Sequence, residues 1–247
     1  DESTVANLVV PFFNMFLNGC ISPGVMPFFT CSRVIPIPKT NSDGSHGIRP
    51  LGIGCALYRI INKTIAMKYG AQVGEKLLSA ASNLNRGEAD GESLVGLQTC
   101  VGISDACPTI GAILQSYVDA SHDLDAKETS PLVIKSLDAN NAFNSISLTS
   151  IYKGLQRCLP ELIPWFLLTY GAPSQMILSN GSYLCYQHTG VKQGDPLSML
   201  LFAVGLQAAL NQIHELICNA TSTGTHRLPA LTIAYADDIT LVAPLEN

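Results

Sequence analysis

Apolar and polar positions change their period several times along this chain, and each change predicts an element. Val5 to Leu17 repeats its apolar residues at helical spacing, with Pro11 set to kink or divide the run. Arg33 to Pro38 alternates as a strand does, and prolines at 36 and 38 predict an edge position because neither offers a backbone N–H. Asn41 to Gly47 is dense in turn residues and reads as a loop tip between Lys39 and Arg49. Ala56 to Tyr69 returns to helical spacing, and after a loop at 83–91 a second helix is expected from Glu92 to Ile103. Leu132 to Asp138 predicts a buried strand that ends in an acid, followed by a compact turn through Asn144. Ser147 is a good N-cap for a helix from Leu148 to Cys158, and Pro160 opens another through Tyr170. Met176 to Leu178 and Tyr183 to Tyr186 flank Asn180-Gly181, a strong hairpin signal. Asp195 as cap and Pro196 as first residue predict a long helix to about Cys218, and a polar connection over 219–229 leads to a last hairpin.

That hairpin organises the rest. Leu231 and Ile233 on one side, and Ile239, Leu241 and Val242 on the other, read as short strands around two adjacent acids, Asp237 and Asp238. Two readings compete on these residues alone: a solvated Asp-Asp turn, or two carboxylates held close together for a divalent cation, of which Mg²⁺ prefers oxygen ligands.

Composition narrows the setting. A chain of 247 residues, 47% hydrophobic and 13% charged, is long enough to bury a sizeable core as one large domain or two small ones. No signal-peptide pattern opens it and its apolar runs are short or carry polar residues, so the expectation is an intracellular protein with no membrane partner, nucleus and cytoplasm undistinguished. Eight cysteines without a C-x-x-C pair predict free thiols and no structural zinc. Asn62, Asn180 and Asn219 begin N-x-S/T sequons that carry little weight without a secretory signal. The formal charge is −5, yet Arg33, Lys39, Arg49, Arg59, Lys63 and Lys68 make a local basic segment against one acid. Such a segment is either a phosphate-binding surface or a solvated face. The Gly190–Ser198 stretch, GVKQGDPLS, puts Lys192 and Gln193 just before a helix, where side chains and backbone amides could meet a strand or a nucleotide; a well-capped core helix accounts for most of it equally well.

Asp138 at a strand end, Gln193-Gly194-Asp195 in a loop and Asp237-Asp238 in a hairpin occur in that order. Together with Asp138-x-x-x-Ala142-Phe143, Gln193 to Ser198 and Tyr235-Ala-Asp-Asp238, this order resembles the fingers and palm of reverse transcriptases, most closely those of non-LTR retrotransposons, and the likeness runs from Arg33 through Ala243. The resemblance implies an α+β polymerase right hand, with fingers over about 30–110 and an antiparallel palm sheet packed on helices over about 130–247. The chain starts at Asp1 and stops at Asn247 just past the hairpin, so 1–247 reads as a fingers and palm fragment truncated at both ends, thumb absent.

The same resemblance implies RNA-directed DNA synthesis, with RNA template, DNA primer and dNTPs as partners and two Mg²⁺ ions, or Mn²⁺ in their place, as cofactor. Asp138, Asp237 and Asp238 would be the catalytic and metal-binding carboxylates, with the carbonyl of Ala139 as a further ligand. Lys39 and Arg49 would grip the triphosphate, Phe143 would sit beneath the sugar and exclude a ribose 2′ hydroxyl, Gln193 and Gly194 would line the template and nucleotide, and Tyr235 the primer end. Asp195 is expected to cap a helix and take no part in catalysis. Met199 and Asn144 depart from the residues many relatives carry, without touching a metal ligand. Two alternatives remain. An RNA-dependent RNA polymerase is disfavoured by Ala142-Phe143, which offers no acid for a ribose hydroxyl, and by Ala236 before the two acids. A catalytically incomplete or co-opted palm would bind nucleic acid or protein only.

Overall fold

The computed structural model describes residues 3, 5–22, 24–40, 44–83, 97–98, 114–115, 118–119, 132–221 and 230–244. They form an α+β arrangement of two four-stranded sheets and the helices between them. The N-terminal apolar run divides where proline predicts, into a π-turn at Val5–Val9 and helix α1 (Val10–Leu17), with Pro11 in its first turn. A short helix, α2 (Met26–Thr30), follows.

Strands β1 (Ser32–Thr40) and β2 (His46–Gly54) pair antiparallel over their full length. β1 is not the edge strand its prolines suggest. The sheet order is β2-β1-β5-β6, where β5 is Ser174–Ile177 and β6 is Tyr183–Gln187. β5 pairs only with Ser32 and Arg33, so Pro36 and Pro38 lie past the end of the third strand, on a two-stranded ribbon. The N–H of Gly52 leaves the ladder and donates to the carbonyl of Gln193, 2.8 Å away, so Gly52 and its partner Val34 form a non-hydrogen-bonded pair. Pro36↔Pro50 and Pro38 lie at the same parity, and the prolines therefore cost the ladder no bond. At the β5–β6 hairpin, Leu178 to Ser182 closes a three-residue loop: Gly181 takes φ +83°, Asn180 does not take a positive φ, and the Asn180 side chain accepts from the Ser182 N–H. The Asn-Gly signal marks the right place but not the two-residue turn.

Helix α3 (Ala56–Asn83) runs well beyond the expected end at Tyr69. The helix expected over 92–103 fails at Leu97–Gln98, which form β3 beside β7 (Leu231–Tyr235); the rest of that expectation, the loop over 84–91 and the tip at 41–43 lie outside the described residues. The second sheet has the order β3-β7-β8-β4, with β4 at Leu132–Asp138 and β8 at Asp238–Pro244. β4 is a strand as read but is not buried: it is the last strand of that order, and Val133 and Ile134 are exposed.

Helices α4 (Ala142–Ser145), α5 (Leu148–Cys158), α6 (Ile163–Tyr170) and α7 (Ser198–Thr221) complete the described elements, with a 3₁₀ turn at Pro160–Leu162 between α5 and α6. Ser147 caps α5, accepting the N–H of Ser150 at 3.4 Å. The main core joins α1, α2, α3, α5, α6 and the first turns of α7, with Phe29 in ring contact with Phe16, Tyr58 and Trp165. Leu210 of α7 packs on Ala234 and Ile239, which fixes that face of the second sheet. By length and composition α7 is the one helix among the described residues apolar enough to cross a membrane, and half of that apolar stretch is buried against the rest of the chain.

Candidate active site

Alternation along β7 and β8 decides which way the acids face. Ala234 and Ile239 point to α7, and Thr232 meets His214 of that helix, so Leu231, Ile233, Tyr235 and Asp238 occupy the opposite face. Asp138, the last residue of β4, is directly opposite Asp238 in register. Directly opposed residues share a face, with Cα atoms about 4.5–5.5 Å apart. Both carboxylates are exposed. The hairpin register pairs Asp238 with Tyr235, which leaves Ala236 and the half-buried Asp237 as the two-residue turn. Asp138, Asp238 and Tyr235 thus share one face of the sheet, and Asp237 is the neighbouring turn residue. Ala236 has φ +55°, a left-handed conformation that costs a non-glycine residue on the order of 1 kcal/mol and that aims the turn.

Like charges directly opposed across a ladder are destabilising, and hard anionic oxygens are the donors a divalent cation takes. The pair therefore fits such an ion. Among the described residues no three His, Cys, Asp or Glu side chains close into a ready-made cage. Magnesium does not need one, since it commonly binds one or two carboxylates and completes its shell with water and substrate phosphate.

After Asp138 the chain turns through exposed Ala139 and reaches Asn141, whose φ of +54° is one an Asn tolerates. The Asn141 side chain accepts from Asn144 Nδ2 at 2.7 Å, and its carbonyl accepts from Ser145 Oγ at 2.8 Å. Phe143 is half-buried and stacks on Phe202 of α7, ring centroids 4.5 Å apart and planes 15° from parallel. Its carbonyl accepts the Val191 N–H at 2.6 Å, and Gly190 N–H donates to Ile146 at 3.0 Å. The turn that follows Asp138 is thereby docked on the segment leading to Gln193.

Lys192 and Asp195 differ from expectation. Lys192 is not a loop cation free to meet a ligand: it is 1% exposed, donates from Nζ to the Thr30 carbonyl and lies 5.0 Å from the centre of the Tyr58 ring. Burial pulls its pKa down to about 8 against the opposing pull of Asp195. Asp195 accepts the Leu197 N–H as a cap would, but the helix begins only at Ser198, and both its oxygens are held by Asn62 Nδ2 at 2.8 and 2.9 Å. Burial raises its pKa, with the Asn62 bond opposing. Asn62 itself is fully buried and accepts from Trp165 Nε1 at 2.9 Å, which rules its sequon out as an acceptor site in the folded chain. A polar residue inside the apolar stripe of Tyr58, Ile61 and Ile65 is the sequence signal for it.

Between these buried residues, half-buried Gln193 and exposed Gly194 form the centre of a turn closed by Asp195 N–H to Lys192 O at 3.2 Å, with Gly194 at φ +96°. Gln193 Oε1 is buried without a hydrogen-bond partner, an acceptor left for a ligand. On the β1–β2 ribbon, Ile37 faces Arg49 and Lys39 faces Gly47, so Lys39 and Arg49 are diagonal neighbours on the face that also carries Arg33 and Leu51. Leu51 on that face lies against Gly194. The exposed cations and the Gln193 turn therefore share one side.

The family model described as reverse transcriptase (RNA-dependent DNA polymerase) matches residues 37–247. A Pol polyprotein from the type-1 retrotransposable element R2 of Popillia japonica is 28% identical over 228 residues, 87% of this chain and 27% of that protein. The chain thus spans about a quarter of the length of that relative. Among solved structures, Candida tropicalis telomerase in complex with a TWJ fragment of telomeric RNA superposes with a TM-score of 0.53 at 12% identity, covering 88% of this chain and 36% of that one. The apo telomerase of the same organism gives 0.51 at 13% identity over 98% and 44%. At that identity the two structures bear on the fold alone.

Proposed function

The chain belongs to the reverse transcriptase family, and on that premise we propose that it carries the fingers and palm of an RNA-directed DNA polymerase from a non-LTR retrotransposon polyprotein. The reaction is template-directed transfer of dNTPs to a primer 3′ hydroxyl. The observation that supports it most is the register of Asp138 opposite Asp238 with Asp237 in the adjoining turn, inside the span that the family model matches. The family works with divalent metal ions; here two Mg²⁺ ions, replaceable by Mn²⁺, would be held by Asp138, Asp237, Asp238 and the Ala139 carbonyl. When bound, the pair supplies an activated primer oxygen and neutralises charge on the leaving pyrophosphate.

The chain's own groups do the rest. Lys39 and Arg49, on one face of the ribbon, bind the triphosphate as paired cations. Phe143, backed by Phe202, presents a rigid aromatic wall to the sugar and excludes a 2′ hydroxyl. Gln193 and Gly194 line the template and incoming nucleotide, and Tyr235 the primer end. RNA template, DNA primer and dNTPs are the partners.

The test is primer extension on an RNA template by the full open reading frame that encodes this chain. Asp138→Asn and Asp237→Asn each lower Mg²⁺-dependent extension by about a thousandfold or more. Extension at the parental rate by either variant overturns the assignment, and a parent that binds template and primer without extending points to the binding-only palm.

A further inference from the structure

The turn proposed to meet the templated nucleotide is held at both corners by buried charged groups. Lys192 and Asp195 are its first and last residues, 1% and 7% exposed, and Gln193 and Gly194 lie between them. Both corners reach α3, and Lys192 is tied to α2 as well. Lys192 reaches back to the end of α2 through the Thr30 carbonyl and lies against Tyr58 of α3. Asp195 is held through both oxygens by Asn62 of α3, which Trp165 of α6 fixes in turn. The middle of the turn is tied to a third element, the outer edge of β2, by Gly52 N–H to Gln193 O.

A buried lysine and a buried aspartate each cost desolvation that an apolar pair of similar volume would not, so stability alone gives no reason for them. Two directional anchors do what an apolar pair cannot, since they set the orientation of a turn whose corners they are. We propose that Asn62, Asp195 and Lys192 are positioning residues for the polymerase reaction, which lock the Gln193–Gly194 turn against β2 so that the ribbon cations and the nucleotide-lining turn present one preformed surface. The inference rests on the polymerase reading above. It adds a residue, Asn62, that lies 133 positions from its partner in the chain and touches no substrate.

Steady-state extension by the full-length protein, with dNTP concentration varied, tests it. Asn62→Asp sets two carboxylates against each other and raises KM for dNTP by about tenfold or more while kcat stays within about threefold. Combining it with Asp195→Asn reverses the pair: the amide then donates from position 195 to the carboxylate at 62, Trp165 keeps its acceptor, and KM returns to within about twofold of the parent. Gly52→Pro is the second arm. It costs the β1–β2 ladder no bond, since the lost N–H points out of it, and its ring Cδ takes the proton's place against the Gln193 carbonyl, 2.8 Å from the nitrogen, which pushes the turn off β2 and raises KM by a similar factor.

A merely structural role lowers the active fraction, measured by burst amplitude, and leaves KM alone. An unchanged KM in correctly folded Asn62→Asp, or a double variant no better than Asn62→Asp, overturns the proposal. Should Asn62→Asp not fold, Gly52→Pro decides, and an unchanged KM there overturns it equally. A parent that does not extend primers overturns the polymerase reading and this inference with it, whereas an active parent whose variants keep their KM removes the positioning role alone.

Discussion

Gly190 joins the turn after Asp138 to the segment that leads to Gln193, and Gly190→Ala measures how tightly. Two penalties act at this position. Its φ of +74° costs an alanine about 1 kcal/mol, and the added Cβ would lie 2.2 Å from the carbonyl carbon and oxygen of Asn144 and 2.5 Å from its Cα. These are backbone atoms, so no side chain can swing aside. Relief demands a relative shift of about 1 Å, which takes Gly190 N–H to Ile146 and Val191 N–H to Phe143 out of hydrogen-bonding range. Each lost bond is worth about 1 kcal/mol, for a sum of about 3 kcal/mol. Gly181→Ala is the matched control. Its φ is +83°, but nothing lies within 4 Å of the new Cβ, so only the conformational cost of about 1 kcal/mol applies. Urea unfolding of the three proteins, extrapolated linearly to water, should therefore separate the variants by about 2 kcal/mol, Gly190→Ala being the less stable. In thermal melts the Gly190 variant falls about 6–12 °C and the Gly181 variant about 2–4 °C. Equal destabilisation by both would refute the docking of the Asp138 turn on Gly190.

Four further outcomes follow from the geometry. Asp138 and Asp238 repel across the ladder in metal-free buffer, so Asp238→Asn should raise stability there by a few tenths of a kcal/mol, roughly 0.5 at most. Added Mg²⁺ should then raise the melting midpoint of the parent and leave the variant unmoved; an equal rise in both speaks against an ion at this pair. Lys192 has a pKa lowered to about 8 from an ordinary value of 10.5, so between those values the unfolded chain binds the extra proton. Its penalty is fully present below pH 8 and fades as pH rises toward 10.5, so stability of the parent relative to Lys192→Met rises over that window by no more than about 1.4 kcal/mol per pH unit; a flat difference refutes it. Phe143→Ala should raise ribonucleotide incorporation in the full-length polymerase, and an unchanged sugar preference removes the gate from that side chain. Phe202→Ala, which removes the ring behind it, should shift sugar preference the same way by a smaller factor, read in the same competition assay.

Local signals carried the sequence reading wherever a few neighbours decide conformation. Ser147 as a cap, Pro11 as a divider and the alternation around Asp237-Asp238 each express chemistry within one turn of chain, and each stands in the structure. Reading failed where the deciding partner is remote in sequence. The prolines of β1 predicted an edge because the strand that flanks it, β5, begins about 140 residues later and stops before reaching them. Leu132 to Asp138 is apolar enough for a core strand, but its exposure is set by its place in the sheet order, which periodicity does not encode. Lys192 read as a loop cation because the Thr30 carbonyl and the Tyr58 ring that receive it lie more than 130 positions upstream. The candidate site was legible as a set of residues in order, through motif likeness; its register was not.

Two classes of aspartate in this chain show how environment divides one side chain between two tasks. Asp195 is withdrawn from water, both its oxygens accept from Asn62 and one of them also accepts the Leu197 N–H, so it is engaged inside the core and its worth is geometric. Asp138 and Asp238 stand exposed on a strand end and a hairpin, directly opposed, in an arrangement that costs stability as long as no cation lies between them. A fold that merely needed polar residues at those positions would gain by making either one neutral. That both remain acids, on the sheet face turned away from α7 and beside a turn strained at Ala236, is the combination expected when the repulsion is relieved only by a bound ion and the substrate phosphates that complete its shell. In the proposed polymerase, the buried aspartate would orient the surface that receives the nucleotide, and the exposed pair would provide the charge on which its phosphates are handled. Exchanging the environments of the two would abolish both tasks without changing composition.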